Sequence, residues 1–184
     1  MTREEALSIF ESHIESDVLR KHCLATEAIM RELARRFQED RDLWGVVGLL
    51  HDLDFETTRD NPSGHGLKTA ELLEPYGLPV EAVEAIMRHN AEALHLQRET
   101  RLDFALTCAE TITGLIVAAT LVHPDKKIES LTPQSVRKRM KSKDFARNVN
   151  REHLSLCERI DIPLMDFIEL SIGAMTSISA QLGL

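Results

Sequence analysis

RDLWGVVGLLHDLD, residues 41–54, is the most informative segment of the chain for its architecture. Asp40 can cap the start of a helix, and the residues from Leu43 to Leu50 are apolar nearly all round that helix. A helix without a polar face has to be enclosed by other helices. The stretch therefore predicts a buried helix that ends at the polar pair His51-Asp52.

The remaining sequence also favours helices. Thr2 and Glu5 form a capping-box pattern for a first helix, and Ser16 can cap a second. Strand-like alternation is absent, and aromatic residues make up only 4% of the chain, so we predict an all-α protein. Further helices are predicted from Pro62 to Tyr76-Gly77, Pro79 to about His89, Leu102 to Val122, Thr132-Pro133 onward, Arg151 to about Ile160 and Pro163 to Leu182, with loops at DFETTRDNPSG and AEALHLQRET.

The length and the net charge of the chain limit its possible architecture and its possible binding partners. The 184 residues suffice for one sizeable core, and no Pro/Gly/Ser-rich linker divides them, so we expect a single domain over residues 1–184. The net charge of −8 argues against a general electrostatic grip on DNA or RNA. A local basic patch could still hold a small anion.

Cysteine usage and the N-terminus favour a cytoplasmic protein. Cys23, Cys108 and Cys157 form no CxxC motif, and we expect them to be reduced and packed. The first residues lack the basic start and apolar run of a secretory signal. The weakly charged stretch 104–122 carries four threonines, a glycine and Glu110, which fits a buried core helix better than a membrane span.

The pair His51-Asp52 is the first candidate functional site. An unpaired buried carboxylate lowers the stability of the folded protein by roughly several kcal/mol. A divalent cation would satisfy the imidazole and the carboxylate together, but a hydrogen bond between the two side chains in the core would also explain the pair.

Two further residues add weight to a metal site. Glu110 is the only charged residue between Phe104 and Val122, and helical spacing directs it towards the core. It could bind a metal or pair with an arginine. His22 shares the predicted face of Val18, Leu19, Ala25 and Ile29, where a lone histidine is usually a hydrogen-bonded core residue. Together, two imidazoles and two carboxylates form a nitrogen and oxygen donor set suited to Fe, Mn, Zn, Co or Ni.

These residues resemble the HD-domain superfamily of metal-dependent phosphohydrolases, helical proteins with the ligand order H…HD…D. The matches are His22, the doublet in LLHDLDFE and Glu110 in CAETITGLIVAATLV, and the wider chain looks like a small stand-alone hydrolase of the HDIG type. The resemblance implies a compact helical bundle with a metal-site core at about 16–122 and additional C-terminal helices at about 123–184. Glu110 stands where the superfamily usually has Asp, so its extra methylene could shift the metal or place the carboxylate outside the ligand shell.

The same resemblance implies further site residues. In relatives with two metals, histidines in the positions of His65 and His89 bind the second ion, and Asp52 would bridge the two. Each of these histidines could equally face solvent. Asp54 could orient ligands or move protons, as could Glu56, although both could also be surface acids. We expect surface positions for His13, His95, His123 and His153.

A basic cluster follows the core in sequence. Most of its charges are expected to be solvated, but Arg and Lys suit phosphate oxygens, so at least one could bind substrate phosphate at the mouth of the site. No Walker-type or GxSxG motif is present, which disfavours nucleotide triphosphate motors and serine hydrolases. The cluster comprises Lys126, Lys127, Arg137, Lys138, Arg139, Lys141 and Lys143, of which Lys126, Lys127, Arg137 and Lys141 are the phosphate-binding candidates.

Three functions are compatible with these residues. The first is hydrolysis of a nucleotide or another small phosphoester by water activated on one or two divalent ions. The second is oxygen activation by two irons, which some HD-type folds carry out. The third is a regulatory module that binds metal or nucleotide without turnover, which the Glu110 departure would favour. No duplex nucleic acid and no membrane is expected as a partner.

Overall fold

The computed structural model describes residues 1–142 and 144–184, so Lys143 of the basic cluster lies outside the described residues. Every regular element in these two ranges is a helix, which confirms the all-α prediction. The α-helices are α1 (Arg3–His13), α2 (Asp17–Phe37), α3 (Arg41–Leu50), α4 (Phe55–Thr58), α5 (Leu67–Leu73), α6 (Val80–His89), α7 (Ala91–Leu94), α8 (Arg101–Leu121), α9 (Pro133–Met140), α10 (Arg151–Ser155), α11 (Leu164–Thr176) and α12 (Ser179–Leu182). Short 3₁₀ helices are Pro62–Gly64, Glu74–Tyr76, Ile128–Ser130 and Leu156–Ile160.

Side-chain caps start the first three helices where the sequence predicts them. Thr2 and Glu5 form a capping box on α1. The Ser16 hydroxyl accepts from the backbone N–H of Leu19 at the start of α2. Asp40 accepts from two N–H groups in the first turn of α3. These bonds satisfy donors that the helical ladder leaves free, so they fix where each helix begins.

Helix α3 lies inside the bundle, as its apolar sequence predicts. Residues 44–50 are all buried, and the helix packs against α1, α2, α6 and α8. Gly48 lets α3 approach α2 closely, because a Cβ at this position would lie 3.0 Å from the Glu27 Cα. The approach brings the C-terminal end of α3, and therefore His51, close to α2.

Helix α8 is the long core helix expected from the sequence. Its length and composition would allow it to cross a membrane, but 72% of its most apolar window is buried inside the protein. A core helix of a soluble protein passes the same length and composition test. Helix α8 packs against α2, α3 and α6, and against α9, α10 and α11 from the C-terminal part of the chain. The buried apolar cluster extends from Ala6 to Leu182.

The segment between α3 and α6 differs from the sequence prediction. The predicted helix from Pro62 is wrong in its first turn, because a 3₁₀ turn ends at Gly64 and α5 begins only at Leu67. Gly66 separates them with a φ of +87°, a conformation that glycine adopts without steric cost. The two segments predicted as loops also contain the short helices α4 and α7.

Other predicted boundaries need smaller corrections. The helix that starts at Arg151 changes to 3₁₀ geometry from Leu156, and the last predicted helix is interrupted between α11 and α12. Val18 does not share the buried face predicted for it, since it is 79% exposed. It lies in the first turn of α2, where the buried position is taken by its neighbour Leu19.

We predict that Gly48→Ala destabilises the protein by about 1–3 kcal/mol, the usual cost of overpacking, because the backbone of α2 cannot move aside as a flexible side chain would. Gly173→Ala is the matched control, since a Cβ at this α11 position meets no heavy atom within 4 Å. That control should be neutral or stabilising by up to about 1 kcal/mol. Urea unfolding measures both, and equal effects of the two substitutions would contradict the close-packing argument.

Candidate metal centre

Four histidines and one aspartate converge where the ends of several helices meet. His22 lies in the second turn of α2, and His51-Asp52 directly follows α3. His65 precedes α5, and His89 is the last residue of α6. His51, Asp52 and His89 are buried, whereas His22 and His65 retain some exposure. The structure thus brings five of the predicted site residues together.

The first group of candidate ligand atoms comes from His22, His51 and Asp52. The two imidazole Nε2 atoms are 3.2 Å apart. Asp52 Oδ2 lies 3.5 Å from His22 Nε2, and Oδ1 lies 3.5 Å from His51 Nε2. These atoms are close enough to one another to share one metal ion.

The second group comes from Asp52, His65 and His89. The Nε2 atoms of His65 and His89 are 2.9 Å apart. Asp52 Oδ1 lies 3.3 Å from the former and 3.5 Å from the latter. Because both groups contain Asp52, its carboxylate is where two ions would be bridged.

The Nδ1 atoms of the four imidazoles all face hydrogen-bond acceptors. His51 and His89 donate to the backbone carbonyls of Gly48 and Ile86. His65 donates to the Asp54 carboxylate over 2.7 Å. In the neutral imidazole, a proton on Nδ1 leaves a lone pair on Nε2. The three Nε2 atoms all face Asp52, and each presents a lone pair when its imidazole is neutral.

His22 follows the same pattern through a threonine. His22 Nδ1 lies 2.8 Å from the Thr113 hydroxyl, and that hydroxyl donates its own proton to the backbone carbonyl of Glu110. Thr113 can therefore only accept from His22, which fixes the imidazole proton on Nδ1. With all the imidazoles neutral, four lone pairs and a carboxylate would face one another, so a proton or a cation has to lie between them; the raised pKa of His65 supplies one such proton. This donor set fits a divalent metal ion.

The family comparison agrees with this geometry. A family model described as HD domain matches residues 19–118. This chain belongs to the HD domain family. The match includes all five converging residues and Glu110, and it ends within α8. No solved structure matches the chain.

Asp54 orients one histidine of the HD domain site. It is fully buried, and its Oδ1 binds His65 Nδ1 while its Oδ2 accepts from the N–H groups of Gly66 and Thr69. The carboxylate thereby fixes the His65 ring and satisfies free donors at the start of α5. Burial alone would raise the Asp54 pKa, but these hydrogen bonds outweigh it and hold the pKa below its usual value.

Burial and charge set the protonation of the cluster. Burial lowers the pKa of His51 to about 3, so its imidazole is neutral. Burial opposes ionisation of Asp52, but favourable electrostatic contact with the imidazoles around it, those of His51, His65 and His89, holds its pKa well below the usual value. Burial also disfavours charge on His65, but hydrogen bonds to Asp52 and Asp54 raise its pKa to about 9. Asp52 is therefore ionised, and the four imidazoles surround its negative charge.

Glu110 lies beside the cluster and belongs to neither group of candidate ligand atoms. Its Oε1 accepts a hydrogen bond of 2.5 Å from Thr111. Burial raises its pKa, against the charges of His22 and His89 that lower it. Its backbone carbonyl contacts the cluster indirectly, through Thr113 and His22. Its role as a direct ligand stays a prediction.

The other predicted candidates are placed away from these five residues. Glu56 is exposed and accepts from the N–H groups of Glu15 and Ser16 before α2. His13, His95 and His123 are at or near the surface, but His153 contacts Glu92 on α7. Among the described residues, no hydrogen bond or ion pair joins the centre to any of the phosphate-binding candidates, which are Lys126, Lys127, Arg137 and Lys141.

Sequence reasoning missed several supporting residues. Thr113 faces His22 from α8, and Thr69 contacts Asp54 from α5. Asn90 and Arg98 bind backbone carbonyls at the second group of ligand atoms. For Asn90 the sequence does contain a signal, because the motif MRHN places it directly after His89. The other contacts join residues that are too far apart in sequence to be paired by spacing.

We predict that Asp54→Ala weakens divalent metal binding by about 10- to 100-fold, the usual effect of removing a partner that orients a ligand. The His65 ring would lose its acceptor, and the first turn of α5 would lose its cap. Isothermal titration with Mn²⁺ or Co²⁺ measures the affinity. Asp60→Asn, an exposed change in the same segment, is the control; equal affinities for Asp54→Ala and this control would contradict the assigned role.

Proposed function

We propose that this HD domain protein is a metal-dependent phosphohydrolase that acts on a nucleotide or another small phosphoester. The observation that carries the proposal is the convergence of four imidazole Nε2 atoms on the buried carboxylate of Asp52. In this proposal His22, His51 and Asp52 hold one ion, and Asp52, His65 and His89 hold a second.

The donor chemistry favours borderline transition metals. Imidazole nitrogens with a single shared carboxylate suit Mn, Fe, Co, Ni or Zn better than Mg or Ca, which prefer oxygen ligands. When bound, such ions supply an activated water and polarise the phosphoryl oxygen. The family is generally hydrolytic, which supports the reaction class and leaves the substrate open.

The two carboxyl groups next to the site, those of Asp54 and Glu110, would have different roles in the reaction. Both oxygens of Asp54 are engaged and its pKa is lowered, so it suits positioning rather than proton transfer. Glu110 lies beside the cluster, and burial raises its pKa, which is the direction expected of a carboxyl group that transfers protons. We therefore assign proton handling to Glu110, whether or not it also reaches a metal.

Substrate phosphate would need cations at the mouth of the site. The candidates Lys126, Lys127, Arg137 and Lys141 remain part of this proposal on the strength of their charge alone. The three buried free cysteines fit a reducing compartment, so we also propose a cytoplasmic protein.

The test loads purified protein with Mn, Fe, Co, Ni or Zn and measures phosphate release from nucleotides and a generic phosphoester. We expect turnover with at least one metal, and His51→Ala should lower kcat by more than about 100-fold, beyond the effect typical of an outer ligand partner. His13→Ala, an exposed change on α1, should leave kcat unchanged.

Other outcomes point to the other functions. No phosphate release with any metal would contradict the hydrolase. Oxygen consumption by the iron-loaded protein would instead support the two-iron oxygen-activating reaction. Tight nucleotide binding without product, unchanged by His51→Ala, would support a regulatory binding module.

A further inference from the structure

The turn between α6 and α7 holds the backbone of both histidines in the second group of ligand atoms. Asn90, which follows His89 directly, reaches across to the segment before α5. Its amide Nδ2 donates to the carbonyl of Pro62 over 2.8 Å and to that of His65 over 3.0 Å. One amide group therefore ties the His65 backbone to the residue next to His89.

Arg98 holds the other side of the same turn. Its guanidinium donates to the His89 carbonyl over 2.9 Å, and its Nε donates to the Thr107 hydroxyl of α8 over 2.8 Å. The remaining donors form a two-pronged pair with the Glu92 carboxylate at 2.7 and 2.8 Å. The Arg98 side chain is only 9% exposed, so water does not readily replace these partners.

The His89 carbonyl needs such a partner because α6 ends at this residue. The last carbonyls of a helix lack partners in the helical ladder and carry the negative end of the helix dipole. A buried guanidinium satisfies the carbonyl and complements the dipole. Glu92 is charged, because hydrogen bonds from Arg98 lower its pKa to about 2, and it neutralises the arginine.

We propose that Asn90 and Arg98 are positioning residues that set the separation of His65 and His89 for the second metal ion. The proposal rests on the proposed function, which places an ion at Asp52, His65 and His89. Neither side chain touches the candidate ligand nitrogens. Both act on the backbone of the residues that carry them.

Small shifts at these backbones matter because metal ligands tolerate little error. Metal sites hold their ligand distances to about 0.2 Å. The His89 ring is fixed by the Ile86 carbonyl of its own helix, so it follows the α6 backbone, whereas the His65 ring is held by Asp54. Loss of Asn90 or Arg98 would therefore move one Nε2 atom relative to the other, while His22 and His51 stay in place.

The experiment compares metal content of full-length wild type, Asn90→Asp and Arg98→Met after loading with Co²⁺ and dialysis. Asn90→Asp keeps the shape but replaces the amide nitrogen and its two N–H donors with an oxygen that repels the carbonyls. We expect two ions per chain in the wild type and about one in each variant at the same free Co²⁺, with a 10- to 100-fold weaker second site. Circular dichroism shows whether each variant is folded.

Arg101→Met is the matched control. Arg101 also lies near the start of α8, but it pairs with Glu39 over 3.0 Å and stacks on Phe37. It should retain two ions. Asn90→Ser, a smaller change in a partly exposed side chain, serves if Arg98→Met does not fold, and it should also lose the second ion.

The outcomes separate the two proposals. Two ions in the wild type and in all the folded variants would overturn the positioning role alone. Equal loss of both ions in Asn90→Asp and Arg98→Met would also overturn it, because that result indicates general damage. Fewer than two ions in the wild type would contradict the two-ion centre itself, and the positioning role would fall with it.

Discussion

The structure depends on a buried carboxylate, Asp52, surrounded by four imidazoles whose Nε2 atoms face it. An ionised carboxylate in the interior is costly unless a positive charge accompanies it. The same is true of lone pairs held about 3 Å apart, since each repels the next unless a proton or a cation lies between them. The fold therefore forms a site at which a bound cation would lower the free energy. The helical bundle has to be rigid enough to keep the ligand atoms of this site in position.

Rigidity at the centre comes from helix ends rather than from helix middles. Asp52 follows α3, His65 precedes α5 and His89 ends α6. Helix ends offer unsatisfied carbonyl and N–H groups, and the site uses them: Gly48 and Ile86 carbonyls hold imidazole rings, and Asp54 joins a ring to the start of α5. A single set of hydrogen bonds thus both ends the helices and orients the ligands.

Local signals in the sequence were sufficient for the all-α class, the caps of the first three helices and the burial of α3. The sequence also singled out the doublet and His22, but it left hydrogen bonds within the core open as an explanation, and the shared ligand set came from the family resemblance. The turn at Gly66 did not follow, since Pro62 satisfies helix-start rules and the positive φ depends on close packing against Ile86 and Met87. Thr113 and Arg98 were missed because their contacts are set by tertiary packing, which spacing along one helix does not encode.

Glu110 is linked to the centre through its backbone. Its side chain accepts from the Thr111 hydroxyl and belongs to neither group of candidate ligand atoms. The residue keeps its connection to the centre through its backbone carbonyl, which receives the Thr113 proton and so fixes the His22 tautomer. Because a backbone contact is independent of side-chain length, this ordering of His22 would survive an exchange of Asp for Glu. Burial raises the pKa of the Glu110 carboxyl group, which lies beside the candidate ligands, and this is the group to which we assign proton transfer in the proposed function.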